Sequence, residues 1–179
     1  MKRIAVVVSA CALAVAGPAA AAQVHGSSSS PRAAGLSALD RHYLVSSMQG
    51  DLFEVSGGRI ALRLSRNAAV IKLARTLVKD HTQAYNDDAK VARTLGVEVP
   101  TSTTQSQLWE LKIVSSLRGA TFNHWFASLE AGDHEQDISE TTEEVRSGSL
   151  AEVVLDAKHS LPMLNRHLNL ARAALRANP

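Results

Sequence analysis

The sequence contains very little cysteine, since Cys11 is the one cysteine among its 179 residues. It lies in a stretch with the layout of a Sec-type signal peptide over residues 1–22, with a basic start, an apolar run and small residues before Gln23. The chain left after cleavage would contain no cysteine, which excludes disulfide bonds and thiol chemistry. A lipid anchor at Cys11 is the alternative, because Val8-Ser9-Ala10-Cys11 resembles a lipid-attachment motif, but the apolar run continues beyond it. We therefore expect an exported protein, periplasmic or outer-membrane-associated.

An excess of charge and a long apolar run are also missing. Removing Lys2 and Arg3 with the signal takes the basic residues from 19 to 17, equal to the 17 acidic residues. A neutral mature chain gives no argument for nucleic-acid binding. The apolar run of the signal is too short to span a membrane, and no transmembrane span is expected in the mature chain. Gly-x-Ser-x-Gly and phosphate-binding loops are absent, so no enzyme class is supported.

Proline, glycine and aromatic residues are few, with 5 prolines, 10 glycines and 4% aromatic residues. Alanine, leucine, arginine and glutamate are plentiful, a composition that favours an all-α protein. The polar stretch at residues 23–36 is typical of a flexible linker. The remaining residues, 37–179, are expected to form one domain, which is long enough to bury a sizeable core.

Apolar periodicity predicts four long helices and a short one. With their caps, the segments are about 37–65, 67–96, 104–119, 121–145 and 149–175, the third being the short helix. Asn67 is the expected N-cap of the second helix, and capping boxes are expected at 104–107 and 149–152. Gly119 is expected to end the short helix. Pro162 falls inside the last apolar stripe and is expected to kink that helix rather than end it.

Tight turns near Asn67 and Gly148 predict two helical hairpins, which a connection of roughly two dozen residues joins. This order predicts a ferritin-like four-helix bundle with a short extra helix in the crossover between the two hairpins.

Three glycines, Gly50, Gly57 and Gly58, share one side of the first helix with Glu54. Each costs about 1 kcal/mol relative to alanine in a helix. The cluster therefore predicts close helix packing around Glu54, or space for its carboxylate.

Each long helix carries one side chain that can bind a metal near the middle of the bundle. In chain order these are Glu54, His81, His134 and His167. Glu54 and His81 lie about a dozen residues on either side of the first turn and are expected at one level, whereas His167 is expected about 7 Å beyond it. The four residues are the predicted ligands of one divalent ion, Zn, Cu or Fe.

The same residues also fit roles without a metal. Glu54 would reach water or accept a hydrogen bond from Tyr43 or Tyr85. His81 would be a buried structural histidine that hydrogen-bonds Glu54. The other two histidines lie at the edges of their apolar stripes, where a structural role is also expected.

The dinuclear iron pattern of such bundles is missing, because it needs a carboxylate three residues before a histidine on two helices. The residues at those positions are Val78, Ala131 and Leu164. Di-iron oxidase chemistry is therefore not expected. Asp80 and Asp133 are expected to face solvent.

From Asp51 onward the chain resembles the bacterial domain of unknown function 4142 family. The matching residues are Glu54, Gly58 and Ala61, the run Leu77-Val78-Lys79-Asp80-His81-Thr82, Gly119, Phe122 and His134, and the run Leu161-Pro162-Met163-Leu164-Asn165-Arg166-His167-Leu168 with Ala171. Asn123 departs from the acidic residue that is usual after that phenylalanine. The resemblance implies a ferritin-like helical fold and export.

Two functions are consistent with these residues. The first is a metal-binding bundle that acts in metal handling or envelope stress tolerance. The second is a metal-free structural or interaction module that contacts envelope proteins or the membrane surface.

Overall fold

The computed structural model describes residues 35–179, so the predicted signal peptide, Cys11 and the linker up to residue 34 lie outside the described residues. Within this range the chain is all-helical, with five α-helices and no strand. The helices are α1 (Ala38–Leu64), α2 (Ala68–Thr94), α3 (Gln105–Ser116), α4 (Gly119–Ser147) and α5 (Ala151–Arg176). None of these described helices has both the length and the hydrophobicity that a membrane crossing requires.

Local hydrogen bonds define the first hairpin, including the predicted N-cap at Asn67. Ser37 is the N-cap of α1 and forms a capping box with Asp40. The Asn67 side chain caps α2 by accepting the N–H groups of Ala69 and Val70 at 2.9 and 3.2 Å. Because so short a connection makes consecutive helices antiparallel neighbours, α2 returns along α1.

Helices α1 and α2 approach each other closely at Gly58. A Cβ at this position would lie 2.7 Å from Cγ2 of Val78 and 3.0 Å from the carbonyl oxygen of Ala74. Real Cβ atoms do not approach a neighbour to 2.7 Å, so only glycine fits this contact. The close helix packing expected for the glycine cluster is therefore present at Gly58.

Two glycines outside the helix interiors adopt the left-handed backbone region. Gly96 follows α2 with a φ of +67° and is the predicted glycine stop.

The start of α3 is as predicted, but its end is not. The capping box of α3 is present, since the Thr104 hydroxyl accepts the N–H of Gln107 at 3.2 Å. The prediction for Gly119 is wrong: α3 ends at Ser116, and Gly119, with a φ of +59°, opens α4. Its left-handed backbone allows the sharp turn between these two helices.

The capping box predicted at Ser149 is wrong, because no side chain of that segment caps α5. Instead Asp40 of α1 accepts the N–H groups of Ser149 and Leu150 at 2.8 and 3.2 Å, and the Ser149 hydroxyl at 2.6 Å. Burial alone would raise the pKa of Asp40, but hydrogen bonds from Ser149 and Ser37 outweigh it and hold this pKa well below its usual range. One carboxylate therefore caps both α1 and α5.

The four long helices contact one another in the cyclic order α1, α2, α5, α4, and α3 packs against α1 and α4. Pro162 lies inside α5, which continues to Arg176 as predicted. The buried apolar residues form two clusters. The phenylalanine cluster includes Leu73, Leu77, Phe122, Phe126 and Leu168, and the tyrosine cluster includes Tyr43, Leu44, Met48, Ala89 and Val153.

Candidate metal centre

A set of ionisable side chains lies between the two apolar clusters along the long helices. We call it the polar layer; it consists of Asp51, Glu54, His81, Glu130, Asp133, His134, Asp137 and His167. Five of these eight side chains are at most 1% exposed, including all three histidines. Polar groups buried this deeply need partners, because burial removes the hydrogen bonds that water would make.

His81, on α2, is oriented by α1. Its Nδ1 lies 2.7 Å from Oδ1 of Asp51, so Asp51 rather than Glu54 is its hydrogen-bond partner. The other ring nitrogen, Nε2, faces the interior and lies 3.1 Å from Nδ1 of His167. His81 therefore connects α1 to α5 through its two nitrogens.

His167, on α5, has a similar arrangement. Its Nδ1 faces His81, and its Nε2 lies 3.1 Å from Oδ2 of Asp80. The same carboxylate oxygen accepts a hydrogen bond from Arg166 at 2.8 Å. The expectation that Asp80 faces solvent is wrong, because its side chain is only 17% exposed and both of these contacts hold it against the helix pair.

His134, on α4, completes the group. Its Nδ1 donates a hydrogen bond of 2.8 Å to the carbonyl oxygen of Glu130, which leaves the lone pair on Nε2. Within residues 35–179, nothing hydrogen-bonds this Nε2. The His134 ring centroid lies 5.5 Å from that of His81 and 5.4 Å from that of His167.

These three imidazoles form a group that can hold a metal ion, because one nitrogen from each lies within 4.8 Å of those of the other two. In every ring a second nitrogen is hydrogen-bonded to an oxygen outside the group, which belongs to Asp51, Asp80 or the Glu130 carbonyl. Histidine ligands of protein metal sites characteristically have such outer partners, which fix the tautomer and the ring orientation.

Glu54 lies beside His134 and outside this group of three. Its Oε1 is 3.5 Å from Nδ1 of His134. Neither tyrosine considered as a partner reaches it: the Tyr85 hydroxyl donates to the carbonyl of Pro100 at 2.8 Å, and the Tyr43 hydroxyl has no partner among the described residues. Glu54 belongs instead to two neighbouring groups of possible ligands, one with Glu130 and His134 and one with Asp133 and Asp137.

The glycine cluster of α1 makes room for these carboxylates. A Cβ on Gly57 would lie 3.1 Å from Oε1 of Glu130, tighter than nine in ten real Cβ contacts. A Cβ on Gly50 would lie 3.9 Å from each carboxylate oxygen of Asp137, an ordinary contact. Of the two expectations for the cluster, Gly57 therefore supplies space, although for the Glu130 carboxylate rather than that of Glu54.

Burial sets the protonation of the polar layer. It lowers the pKa of His81 and of His167 to about 4 and that of His134 to about 3. Burial also raises the pKa of Glu130 to about 8 and, together with the nearby Glu130 carboxylate, raises that of Glu54 well above its ordinary value. At neutral pH the metal-free imidazoles are therefore uncharged, as metal ligation requires, and Glu130 mostly holds a proton that a bound cation would displace.

Sequence reasoning placed some of these residues well and missed others. His167, expected about 7 Å from the level of the others, lies within the group of three imidazoles. Asp133 does not face solvent as expected; its carboxylate lies with that of Glu54. Asp51, Glu130 and Asp137 were missed, although each is three or four positions from a predicted residue and so on the same helix face. That the four predicted residues ligate a metal stays a prediction.

Comparison with known proteins gives one match. Neither curated proteins nor solved structures contain a significant match to this chain. A family model described as Domain of unknown function (DUF4142) matches residues 25–174. Since this range covers most of the chain, the protein belongs to the domain of unknown function 4142 family.

Proposed function

We propose that this protein is an exported, ferritin-like four-helix bundle that binds one divalent transition-metal ion through His81, His134 and His167. Its role would be metal handling or stress tolerance in the cell envelope. The cyclic contacts of the four long helices and the short helix α3 in the long connection support the bundle. The signal-like segment at residues 1–22 supports export.

The observation that supports the metal site is that the two nitrogens of each imidazole ring have different roles: one is hydrogen-bonded to an oxygen outside the group, and the other is available to a metal ion. His81 and His167 each use one nitrogen for a carboxylate outside the group and turn the other towards the shared centre. His134 uses Nδ1 for a backbone carbonyl, and its buried Nε2 is left without a partner in the described chain. Three rings held by outer partners, with inner nitrogens close together, are organised for ligation before an ion arrives.

The spacing of the inner nitrogens fits a small transition-metal ion. Tetrahedral zinc with Zn–N distances of about 2.05 Å has ligand nitrogens about 3.3 Å apart. The facing nitrogens of His81 and His167 are 3.1 Å apart, so little movement of these two rings is needed; a His134 nitrogen lies within 4.8 Å of theirs. Imidazole ligands suit Zn²⁺, Cu²⁺ and Fe²⁺, and the buried carboxylates of Asp51 and Glu54 would balance part of the added charge.

A metal-free structural module is the second candidate, and one observation favours it. The contact between His81 and His167 is already a hydrogen bond of normal length, so two of the three rings have partners without an ion. In that case the histidines would specify the packing of α2 against α5. The unpartnered Nε2 of His134 is the feature that this candidate leaves unexplained.

Metal analysis of the purified chain distinguishes the two candidates. The chain is stripped with chelator, loaded with Zn²⁺, Cu²⁺ or Fe²⁺ in separate samples, dialysed and analysed for metal content. The proposal expects about one equivalent of at least one of these ions in the wild type. The double variant His81→Ala/His134→Ala should retain almost none.

The matched control is His159→Ala, because His159 is exposed on α5 and outside the three groups of possible ligands. It should bind as the wild type does. Equal and negligible metal in all three proteins would overturn the proposal and favour the metal-free module. Export is tested separately by the N-terminus of protein recovered from the envelope fraction, which should begin near Gln23; an intact Met1 would refute it.

A further inference from the structure

We propose that Glu54, Asp133 and Asp137 form a second cation site, distinct from the three imidazoles, which takes a hard divalent ion of the Mn²⁺, Mg²⁺ or Ca²⁺ type. One oxygen of each carboxylate lies within 4.8 Å of those of the others. Carboxylate oxygens are the ligands that hard divalent cations prefer, whereas imidazoles favour zinc, copper and iron. The two sites are therefore expected to select different ions.

The first argument is that the buried oxygens of this site accept no hydrogen bond from an amide, hydroxyl or basic group of the described chain. Glu54 is 0% exposed, and neither of its carboxylate oxygens has a hydrogen-bond partner within residues 35–179. The Oδ2 atom of Asp133 is likewise buried and unpartnered there. Leaving a buried acceptor without a donor is costly, and a bound cation removes that cost for several oxygens at once.

The second argument is that no basic side chain neutralises these carboxylates. Among the described residues, the ion pairs made by lysine and arginine involve Asp80, Asp87, Glu135 and Glu143. None of them reaches the proposed site. Without a basic partner, three acids placed together can all be ionised only if a cation compensates their charge.

The third argument is that this site has a route to the surface. A pocket of about 290 Å³ between α1, α3 and α4 is lined by both Asp133 and Asp137. Glu110 and Glu140 line it as well, and its lining includes no lysine or arginine. An acidic cleft concentrates cations at its mouth. Gly50, which also lines the pocket, carries no side chain that would fill the space in front of Asp137.

The site adjoins the imidazole group but does not depend on it. Glu54 Oε1 lies 3.5 Å from Nδ1 of His134, and that nitrogen donates to a backbone carbonyl. Removing the imidazoles leaves all three carboxylates and the pocket in place. The second site can therefore be present even if the proposed transition-metal function fails, and the two can be tested independently.

The test is a Mn²⁺ titration followed by the electron paramagnetic resonance signal of free Mn²⁺. Chelator-stripped wild type should bind one Mn²⁺ per chain. Asp133→Asn/Asp137→Asn keeps the shape of the site but removes two ligand charges, so its affinity should fall at least tenfold. The control Glu135→Gln/Glu143→Gln removes two carboxylates from outside the site on the same helix and should bind as the wild type does.

His81→Ala/His134→Ala should keep its Mn²⁺ affinity within about threefold of the wild type. Absence of Mn²⁺ binding in the wild type, or equal binding in Asp133→Asn/Asp137→Asn, would overturn the second site. Loss of Mn²⁺ in the histidine variant would show that the two sites are not distinct and would also overturn the proposal. If the double asparagine variant fails to fold, as judged by circular dichroism, Glu54→Gln replaces it with the same expected loss.

Zn²⁺ binding and Mn²⁺ binding report on different proposals. A wild type that binds Zn²⁺ but not Mn²⁺ would keep the transition-metal function and refute this inference. One that binds Mn²⁺ but no transition metal would do the reverse. A competition experiment distinguishes the two sites further. One equivalent of Zn²⁺ should occupy the imidazole site and leave Mn²⁺ bound at the carboxylate site.

Discussion

Replacing Gly58 by alanine tests the close approach of α1 and α2. In a helix with free space, alanine in place of glycine stabilises the fold by about 1 kcal/mol. At Gly58 the added methyl group would lie 2.7 Å from Cγ2 of Val78 and 3.0 Å from the Ala74 carbonyl oxygen. Overpacking typically costs about 1–3 kcal/mol, and a backbone oxygen cannot rotate away. We expect Gly58→Ala to lower the free energy of unfolding by about 1 kcal/mol, as the balance of these two effects.

The matched control is Gly132→Ala in α4, where a Cβ would meet nothing within 4 Å. This variant should gain about 1 kcal/mol from helix propensity alone. The two variants should therefore differ by about 2 kcal/mol, or about 4–8 °C in melting temperature for a domain of this size. Urea and thermal unfolding followed by far-UV circular dichroism measure both quantities.

A third variant identifies the atoms responsible. Val78→Ala removes the Cγ2 atom that the new methyl group would meet, so the double variant Gly58→Ala/Val78→Ala should be more stable than the two single effects predict. The coupling should be about 1 kcal/mol, as expected for side chains in contact. If Gly58→Ala stabilises as much as Gly132→Ala does, the helices are not in contact here and the reasoning fails.

Three further predictions concern the caps, the pH dependence and the metal. Asp40→Ala should destabilise the protein by about 2 kcal/mol in urea unfolding, since it leaves two helix starts without their acceptor, and Asp40→Asn should lose less. Burial, together with the Asp40 carboxylate, raises the pKa of Glu144 from its ordinary 4.5 to about 7. The folded state therefore binds this proton more tightly, so stability should fall by about 2 kcal/mol between those pH values. Glu144→Gln should remove this contribution of about 2 kcal/mol from the pH dependence of urea unfolding; an unchanged slope would contradict the assignment. Chelator should lower the melting temperature of metal-loaded wild type by about 5–10 °C and leave His81→Ala/His134→Ala unchanged; an equal drop in both would refute linkage to the imidazoles.

Several features set by neighbours in the chain were predictable from the sequence, although the box at Ser149 and the helix end at Gly119 were not. The predicted caps at Asn67 and Thr104 depend on residues two or three positions away, and both are present. A histidine within an apolar helical stripe is recognisable in the same way, because burial of one face follows from the period. This is why His81 could be placed in the interior before its partners were known.

Features that join distant parts of the chain were not predictable. Asp40 accepts the N–H groups of the two residues just before α5, 109 and 110 positions away, and no local pattern marks that role. The outer partners of His81 and His167 also come from other helices, 30 and 87 positions away. An aspartate on a helix face of mixed polarity is predicted to be exposed to solvent. Whether it is exposed depends on how the neighbouring helix is rotated about its own axis. The sequence does not indicate how each helix is rotated about its own axis, and therefore these partners could not be predicted.

The separation of the apolar residues into two clusters has a consequence for how the protein can change over time. Each end of the bundle has its own apolar cluster, and the polar layer lies between the two clusters. Substitutions in the polar layer would therefore leave the apolar contacts at both ends in place. The side chains of the polar layer can therefore change during evolution while the two apolar clusters are retained.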